Sequence, residues 1–282
     1  MIVFKTIEEM QAYTKEQKQN GFKVGFVPTM GFLHEGHVSL MHRAKQECDI
    51  VVTSIFVNPT QFGPNEDFER YPRDFERDKE IAKNNGSDVL FYPSSSVIYP
   101  NEAGTKLMVT KRTNRLCGEK RPGHFDGVVT VLTKLFHIIQ PDRAYFGQKD
   151  AQQVAIVDDL INSYFFPIQL VICPTIREED GLAKSSRNVN LRDDERRIAP
   201  QLYEGLRGAK EKAQKGETVN EVLQWLYKIL QRLEYGEVDY VEILSYPELQ
   251  PVEGFDQKTI IALAYQFEGA RLIDNIIMEG VR

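Results

Sequence analysis

The stretch VGFVPTMGFLHEGHVSLMHRAKQECDIVVTSIFV, residues 24–57, decides the fold class of this chain of 282 residues. Residues 24–27 form a short apolar run typical of a buried strand, a turn bearing Pro and Gly ends it, and a helix is predicted over residues 34–44. Residues 50–57 are rich in β-branched and aromatic side chains without period-two alternation, which is typical of a strand buried on both faces of a parallel sheet. The stretch therefore predicts a strand–helix–strand unit.

Similar runs extend outward from this unit. Short strands are predicted at 1–4, 89–92, 144–146 and 168–173, and helices at 6–20, 75–83, 128–139 and 151–164. Alternating strands and helices predict an α/β domain with a mostly parallel, Rossmann-like sheet. Ligands of such sheets bind beyond the carboxyl ends of the strands, and polar segments follow several of the predicted strands here.

The texture of the sequence changes after about residue 176. Charged helices are predicted over 193–233, and three apolar runs follow, at 240–244, 259–264 and 272–277. We therefore expect a Rossmann-like domain over residues 1–176 and a smaller C-terminal α+β domain over residues 177–282.

Charge and cysteine content exclude several classes of protein. The formal net charge is -6 and no long run of Lys and Arg occurs, so we expect no nucleic-acid partner. The cysteines Cys48, Cys117 and Cys173 are far apart and odd in number, which argues against a disulfide framework or a zinc cluster and fits a reducing cytoplasm. No signal-peptide pattern and no apolar run of membrane-spanning length appears, so we expect a cytoplasmic protein.

The turn PTMGFLHEGH, residues 28–37, combines several features of a phosphate site. A helix start offers unpaired N–H groups and the positive end of the helix dipole, both of which favour phosphate. His34 and His37 share one helical face and add donors, and Gly36 lets a ligand approach the backbone. A His-Glu-x-x-His zinc motif needs histidines four apart, so a metal site is disfavoured. Two ordinary histidines at a helix start remain the alternative.

A second segment, GLAKSSRN at 181–188, places Ser185 and Ser186 between Lys184 and Arg187. Arg supplies a planar fork of donors and Lys a point charge, so a mobile loop of this composition suits a triphosphate. Such a loop can close over the phosphates and stabilise departing pyrophosphate. Taken alone, however, this segment is more typical of a solvated linker between domains.

Two further polar segments follow predicted strands. In FGQKDAQQ, residues 146–153, Lys149 is placed to reach a phosphate, and the amide of Gln153 can both donate to and accept from a hydroxyl or carboxylate. In FVNPTQF, residues 56–62, polar amides lie between aromatic residues, which is compatible with a small-molecule pocket. A surface helix cap and an Asn-Pro turn are the respective structural alternatives.

The order of these segments indicates more than any one of them. An early His-x-Gly-His turn and a late Lys/Ser/Arg loop around an α/β domain resemble the HIGH and KMSKS signatures of nucleotidylyltransferases and class I tRNA synthetases. Within that superfamily the chain resembles the pantoate–β-alanine ligase (pantothenate synthetase) family. The segments that carry the resemblance are PTMGFLHEGH (28–37), FVNPTQF (56–62), RPGHFDGVVTVLTKLF (121–136), FGQKDAQQ (146–153) and REEDGLAKSSRN (177–188).

The resemblance implies a two-step ligation. The carboxylate of pantoate attacks ATP, with Mg²⁺ assisting, to give pantoyl adenylate and pyrophosphate. The amine of β-alanine then displaces AMP to give pantothenate. The resemblance also implies that the domain over residues 1–176 binds ATP and pantoate and that the domain over residues 177–282 acts as a lid. It implies a homodimer, and it leaves the ligands of the metal unassigned.

Site residues follow from the resemblance position by position. It implies that Gln61 and Gln153 hold pantoate, with Gln61 also near β-alanine and Asn58 in the same pocket. His34, His37 and Lys149 are the implied catalytic residues, and the position of His37 is treated in the family as a proton donor. The residues implied for the ATP site are Met30, Gly31, Phe32, Leu33, His34, Glu35, Gly36, His37, Gly147, Gln148, Lys149, Asp150, Ile176, Lys184, Ser185, Ser186 and Arg187.

Elementary chemistry refines the role of the two histidines. The carboxylate nucleophile is already ionised at neutral pH, so adenylation requires no general base. We therefore expect His34 and His37 to act mainly as hydrogen-bond donors to phosphate oxygens in the transition state.

The resemblance leaves one side chain and one short segment without an assigned contact, and two alternative functions stay open. Many family members carry Met or Leu where this chain has Lys184, so the resemblance gives that side chain no certain contact with phosphate, and it gives the segment Arg121–His124 no role. A nucleotidylyltransferase acting on a phosphate-bearing acceptor would need extra basic residues, whereas Gln61 and Gln153 suit a diol-type acid without a phosphate group better. A non-catalytic nucleotide-binding module would bind ATP without turnover. A tRNA-synthetase fragment is disfavoured because the chain is short and acidic.

Overall fold

The computed structural model describes residues 1–64 and 66–280, and this part of the chain forms two compact units. Unit 1 comprises Met1–Thr110, Arg121–Gln148 and Ile156–Pro174. Unit 2 comprises Lys111–Lys120, Lys149–Ala155 and Thr175–Arg282. Two short segments that precede residue 156 therefore belong to the same unit as the C-terminal region.

Unit 1 is built on a parallel sheet, which has six strands in the part of the chain that the structure describes. The strands are β1 (Ile2–Phe4), β2 (Val24–Thr29), β3 (Ile50–Ile55), β4 (Val89–Phe91), β5 (Arg143–Gly147) and β6 (Gln169–Cys173). Their order across the sheet is β1-β4-β3-β2-β5-β6, and every neighbouring pair is parallel. The expectation of a parallel α/β sheet is confirmed.

Seven helices precede residue 164 within the described residues. They are α1 (Ile7–Gln19), α2 (Glu35–Glu47), α3 (Phe75–Asn84), α4 (Ser95–Ile98), α5 (Leu116–Lys120), α6 (His124–Ile139) and α7 (Ala151–Ser163). The Thr6–Glu9 capping pattern at the start of α1 is confirmed, since the Thr6 hydroxyl accepts the Glu9 N–H at 3.3 Å. The short helices α4 and α5 lie where the sequence predicted no element, because each spans only about one turn and shows no periodicity.

Several predicted boundaries differ from the structure, and two of the differences have a local cause. Helix α6 begins at His124 rather than at Val128, because Gly123 adopts a φ of 82° at the N-cap and turns the chain into the helix early. Strand β3 ends at Ile55 rather than at Val57, and a 3-10 helix, Pro59–Gln61, follows shortly after it. Pro59 has no N–H to continue a ladder, so the strand cannot run on through it.

The topology of unit 1 fixes where its loops meet. From β2 the chain proceeds to β3 and then β4 on one side, whereas β5 and β6 extend on the other side of β2. The order therefore reverses between β2 and β5. Because all strands are parallel, the loops that follow β2, β3 and β5 emerge at one edge of the sheet, which is the edge where such folds bind ligands.

Unit 2 combines an antiparallel sheet with helices, as the α+β expectation required. The sheet has three strands up to residue 280, in the order β7-β8-β9. These strands are β7 (Glu237–Ser245), β8 (Thr259–Gln266) and β9 (Arg271–Met278), and the helices are α8 (Asp193–Ile198), α9 (Gln201–Gln214) and α10 (Val219–Leu230). The three predicted apolar runs are thus the cores of three longer strands.

The core of unit 2 lies between its helices and its sheet. Leu206 of α9, Leu226 of α10 and Leu263 of β8 are fully buried in one apolar cluster. The two helices approach closely at Gly208, where an added Cβ would lie 2.3 Å from the Trp225 ring. Within the residues described, no helix of either unit is long and apolar enough to cross a membrane.

Candidate functional site

Loops at the carboxyl edge of the unit 1 sheet carry the first group of candidate residues. The loop after β2 carries residues 30–34, the loop after β3 carries residues 56–62, and β5 ends at Gly147. A cavity of about 520 Å³ opens beside these loops, with Met30, Phe56 and Val57 among its lining residues. The structure thus brings the predicted segments 28–37 and 56–62 to one edge.

The two histidines cap helix α2 reciprocally. His34 is the N-cap, and its Nδ1 accepts the Gly36 N–H at 3.1 Å. The Nδ1 of His37 accepts the His34 N–H at 3.3 Å, and the ring centroids are 4.0 Å apart. An Nδ1 that accepts a hydrogen bond carries no proton, so each neutral ring carries its proton on Nε2. Both half-buried histidines therefore present an Nε2–H donor at the helix start.

A buried carboxylate, Asp78 of α3, holds the turn that precedes the histidines. Its two oxygens accept the N–H of Phe32 at 2.6 Å and the N–H of Leu33 at 2.7 Å. Gly31 and Phe32 both adopt positive φ, 87° and 49°, so the turn needs such external support. Burial raises the pKa of Asp78, while the hydrogen bonds from Leu33 and Phe32 and the charge of Arg77 oppose that rise.

The loop after β3 presents Gln61 through a network centred on Asn58. Asn58 Nδ2 donates to Gln61 Oε1 and to the Gly127 carbonyl, both at 3.1 Å. Its Oδ1 accepts the N–H and hydroxyl of Thr60 and the Tyr99 hydroxyl. The Asn58 side chain is therefore committed to the protein. The Nε2 of Gln61 donates to Met30 Sδ at 3.1 Å, a weak acceptor that a better one can replace.

The end of β5 offers open space. An added Cβ at Gly147 would meet no atom within 4 Å outside its chain neighbours. Gln148 begins a 3-10 helix, Gln148–Asp150, that leads into α7. The backbone of Gly147 thus faces room for a ligand at the edge where β5 ends.

Unit 2 carries Lys149, Asp150 and Gln153. The Lys149 carbonyl accepts Asn275 Nδ2 of β9 at 2.9 Å, which ties this segment to the unit 2 sheet. Gln152 is buried, and its amide donates to the carbonyls of Arg112 and Arg115 and accepts the Gly118 N–H. Its neighbour Gln153, in the first turn of α7, forms no such bond among residues 1–64 and 66–280.

The late loop is folded within unit 2 and is not a solvated linker. The Lys184 N–H donates to the Ile176 carbonyl at 2.9 Å, so residues 176–184 form a closed turn. Ser185 then caps a 3-10 helix, Ser186–Asn190, by accepting the Arg187 N–H.

The turn 176–184 is anchored by Arg177. It forms a two-pronged ion pair with Asp274 at 2.6 and 2.9 Å, and its guanidinium lies 3.5 Å from the centroid of the Tyr203 ring. Within unit 2, Lys149 and Ser185 line the same small cavity, together with Asp274 and Tyr203. Two of the predicted phosphate residues are thus neighbours.

Among the described residues, no group of three or more His, Cys, Asp or Glu side chains could hold a metal ion. Mg²⁺ commonly binds through substrate phosphates and one or two carboxylates, and the two histidines are committed through Nδ1 to the backbone.

Sequence reasoning missed three supporting residues: Asp78, Gln152 and Asn275. A signal existed for Asp78, because it lies three residues after Phe75 and four before Ala82, on the apolar face of α3. Gln152 and Asn275 bond to segments that are distant in sequence, for which a single sequence gives no signal.

A family model described as Pantoate-beta-alanine ligase matches residues 2–277. A pantothenate synthetase from a Geobacillus species is 56% identical over 282 residues, covering 100% of each chain.

Two solved structures extend the comparison. The crystal structure of pantothenate synthetase from Thermus thermophilus is similar at a TM-score of 0.93 and 43% identity, covering 98% of this chain and 99% of that chain. A pantoate–β-alanine ligase from Francisella tularensis, solved in complex with "Beta-gamma ATP" and β-alanine, is similar at a TM-score of 0.81 and 36% identity, covering 98% and 97%.

We expect Asp78→Asn to destabilise the turn at residues 31–33. An amide has one acceptor oxygen, so either the Phe32 or the Leu33 N–H would face an N–H₂ group instead of an oxygen. The expected loss is about 1–3 kcal/mol in the free energy of unfolding. Chemical denaturation measures it, and hydrogen exchange should show faster exchange of these two amides.

Asp142→Asn is the matched control. Asp142 accepts the Val24 N–H at the opposite end of β2 and pairs with Lys18. It should also lower stability but leave the Phe32 and Leu33 amides protected under native conditions. Unchanged exchange at both amides in Asp78→Asn would contradict the role assigned to Asp78.

Proposed function

Because the chain belongs to the pantoate–β-alanine ligase family, we propose that it joins pantoate to β-alanine at the expense of ATP. The observation that carries the proposal on structural grounds is the pair His34 and His37. Their Nδ1 atoms are occupied by the backbone, and their Nε2–H groups are donors at a helix N-terminus. Such an arrangement stabilises charge that develops on a phosphate.

The reaction proceeds in two balanced steps. A carboxylate oxygen of pantoate attacks the α-phosphorus of ATP, the bond from that phosphorus to the bridging oxygen breaks, and pyrophosphate leaves. The amine of β-alanine then attacks the acyl carbon of pantoyl adenylate, the bond to AMP breaks, and the nitrogen loses a proton. The first step moves no proton, so His34 and His37 act on it as fixed donors to phosphate oxygens.

Pantoate recognition is proposed for the two glutamines. Gln61 has an amide whose present acceptor, Met30 Sδ, is weak. Gln153 lies in the first turn of α7, and its amide is proposed to bind the same substrate. An amide pairs with a hydroxyl and with a carboxylate, and pantoate has both. Asn58 is proposed to serve pantoate indirectly, by orienting Gln61, because its own hydrogen-bonding groups are committed.

Nucleotide contacts are proposed for the remaining residues. In unit 1, residues 30–37 and Gly147–Gln148 line the carboxyl edge of the sheet. In unit 2, Lys149, Asp150, Ile176 and residues 184–187 are proposed for ATP, with Lys149 and Arg187 supplying positive charge for phosphates.

The metal, the assembly and the compartment are also proposals. Mg²⁺ is proposed to arrive as the MgATP substrate, where it neutralises phosphate charge. A homodimer in the cytoplasm is proposed from family membership and from the buried thiols Cys48, Cys117 and Cys173, which fit a reducing compartment.

The proposal is tested by isotope exchange. In the absence of β-alanine, the protein should incorporate labelled pyrophosphate into ATP only when pantoate is present, because the first step is reversible. A panel of hydroxy acids defines the selectivity. Exchange that requires a phosphate-bearing acceptor would instead indicate a nucleotidylyltransferase, and ATP binding without any exchange would indicate a binding module.

Two substitutions at His37 separate its capping and catalytic roles. His37→Asn retains an acceptor near the Nδ1 position for the His34 N–H but removes the distal donor. It should therefore stay folded and lose about 10²–10³ in the exchange rate. His37→Gln places an amide donor near the Nε2 position and should keep more activity than His37→Asn.

His42→Ala is the control on the same helix. His42 bonds to Asn85 on the protein surface and should leave the exchange rate unchanged. If His37→Asn incorporated labelled pyrophosphate at the wild-type rate, the role proposed for His37 would be contradicted.

Gly147→Val tests the open space at the end of β5. The added side chain meets no protein atom close to its Cβ, so stability should change little, whereas ATP binding should weaken because the space is filled. Gly104→Val is the matched control, since Gly104 also has open space around its Cβ. Calorimetric ATP titration of both variants checks this, and equal ATP affinities would exclude Gly147 from the nucleotide site.

A further inference from the structure

We infer that the segment Arg121–His124 is a positioning device for Gln61, and that it acts through the backbone carbonyl of Gln61 without contacting substrate. The inference rests on the proposed function, because the proposed function assigns Gln61 to pantoate binding. Arg121–His124 begins the segment 121–136, which carries part of the family resemblance and to which the proposed function gives no role.

His124 provides the shorter contact. His124 is the first residue of α6, and its Nδ1 lies 2.7 Å from the Gln61 carbonyl oxygen. A carbonyl oxygen only accepts, so Nδ1 carries the proton and donates. The Nε2 of the same neutral ring is then an acceptor, and it lies 3.1 Å from Arg121 Nη1. One tautomer satisfies both contacts.

Arg121 provides the second contact and is itself fixed. Its Nη2 donates to the same Gln61 carbonyl at 3.3 Å, while Nε donates to Glu66 Oε1 at 2.8 Å and Nη2 also pairs with Glu66 Oε2. The Arg121 side chain is 17% exposed and that of Glu66 is 25% exposed. This shielding makes the forked pair stronger and more rigid than a pair on the open surface.

The electrostatics of Glu66 agree with this arrangement. Burial by itself raises the pKa of the Glu66 carboxyl, but the hydrogen bond and the charge of Arg121 outweigh that effect and hold the pKa below its usual value. The ion pair therefore forms at neutral pH, and Arg121 keeps its orientation towards Gln61.

Backbone packing reinforces the device. An added Cβ at Gly127 would lie 2.3 Å from the Thr60 carbonyl oxygen, so the first turns of α6 touch the 3-10 helix of Gln61 directly. The Gly127 carbonyl also accepts Asn58 Nδ2. Helix α6 thus fixes Gln61 twice, at its backbone through His124 and at its side chain through Asn58.

The consequence for catalysis is specific to one substrate. Loosening the Gln61 carbonyl lets its amide sample other directions, which weakens pantoate binding and the orientation of its carboxylate. It does not alter the donors of His34 and His37. The device should therefore affect the apparent KM for pantoate and the rate of adenylation, but not the KM for ATP.

The experiment measures pantoate-dependent pyrophosphate exchange without β-alanine. His124→Ala and Arg121→Ala should each raise the KM for pantoate about tenfold, as expected for one lost hydrogen bond, with the KM for ATP within about twofold of wild type. His124→Asn is the rescue variant, because its Nδ2 takes the place of Nδ1 and can still donate to Gln61. It should recover most of the lost affinity.

Arg143→Ala is the matched structural control. Arg143 forms a comparably shielded pair with Glu47 at the opposite end of the sheet. It should lower the unfolding temperature while leaving both KM values unchanged. If Arg121→Ala fails to fold, Arg121→Lys replaces it, since one ammonium cannot fork to Glu66 and also reach Gln61.

The outcomes are distinguishable. No exchange by the wild-type protein would end the proposed function and this inference together. Wild-type exchange with unchanged pantoate KM in both alanine variants would overturn the inference alone. Normal exchange with a raised KM for β-alanine in the full reaction would instead mean that these residues contact β-alanine. An equal rise in both pantoate and ATP KM, or no rescue by His124→Asn, would mean general structural damage.

Discussion

The carboxyl edge of the parallel sheet imposes one constraint on this protein. Each loop that follows a strand there has backbone N–H groups that need hydrogen-bond partners. In a sheet or helix interior the ladder supplies them, but a turn has to find them in side chains. Asp78 satisfies Phe32 and Leu33, and the imidazoles of the histidine pair satisfy His34 and Gly36. The shape of the candidate site is thus determined by hydrogen bonds that contact no ligand.

This constraint also divides the polar side chains into pairs with separate tasks. Asn58 and Gln152 are saturated by protein groups, while Gln61 and Gln153, close by in sequence, are the residues proposed to bind pantoate. A side chain that holds the backbone cannot also adapt to substrate, and one that binds substrate needs a fixed backbone under it. Composition alone does not reveal which member of each pair does which task, because Asn and Gln offer the same groups.

The sequence therefore predicted the features that depend on local patterns, and it did not predict the features that depend on contacts between distant residues. The strand–turn–helix over residues 24–47 and the cap at Thr6 follow from apolar runs and capping residues within a few positions of each other. The support of Gln61 by Arg121 and His124 spans about sixty residues of sequence, and the start of α6 depends on a glycine at positive φ. Neither leaves a periodic signal. For Asp78 the sequence shows a carboxylate on the apolar face of a helix, but it does not show which backbone N–H groups the carboxylate accepts.

The capping geometry bears on whether His37 shuttles a proton. Its Nδ1 accepts the His34 N–H, so a second proton on the ring would set two donors against each other and break the cap. A residue that cycled through that state would disturb the helix start at each turnover. Adenylation by an ionised carboxylate moves no proton, so the reaction does not require the cycle. A permanently neutral ring that donates from Nε2 satisfies the fold and the first chemical step with the same tautomer. The same reasoning makes His124 the mirror case, because its Nδ1 must donate and its Nε2 must accept.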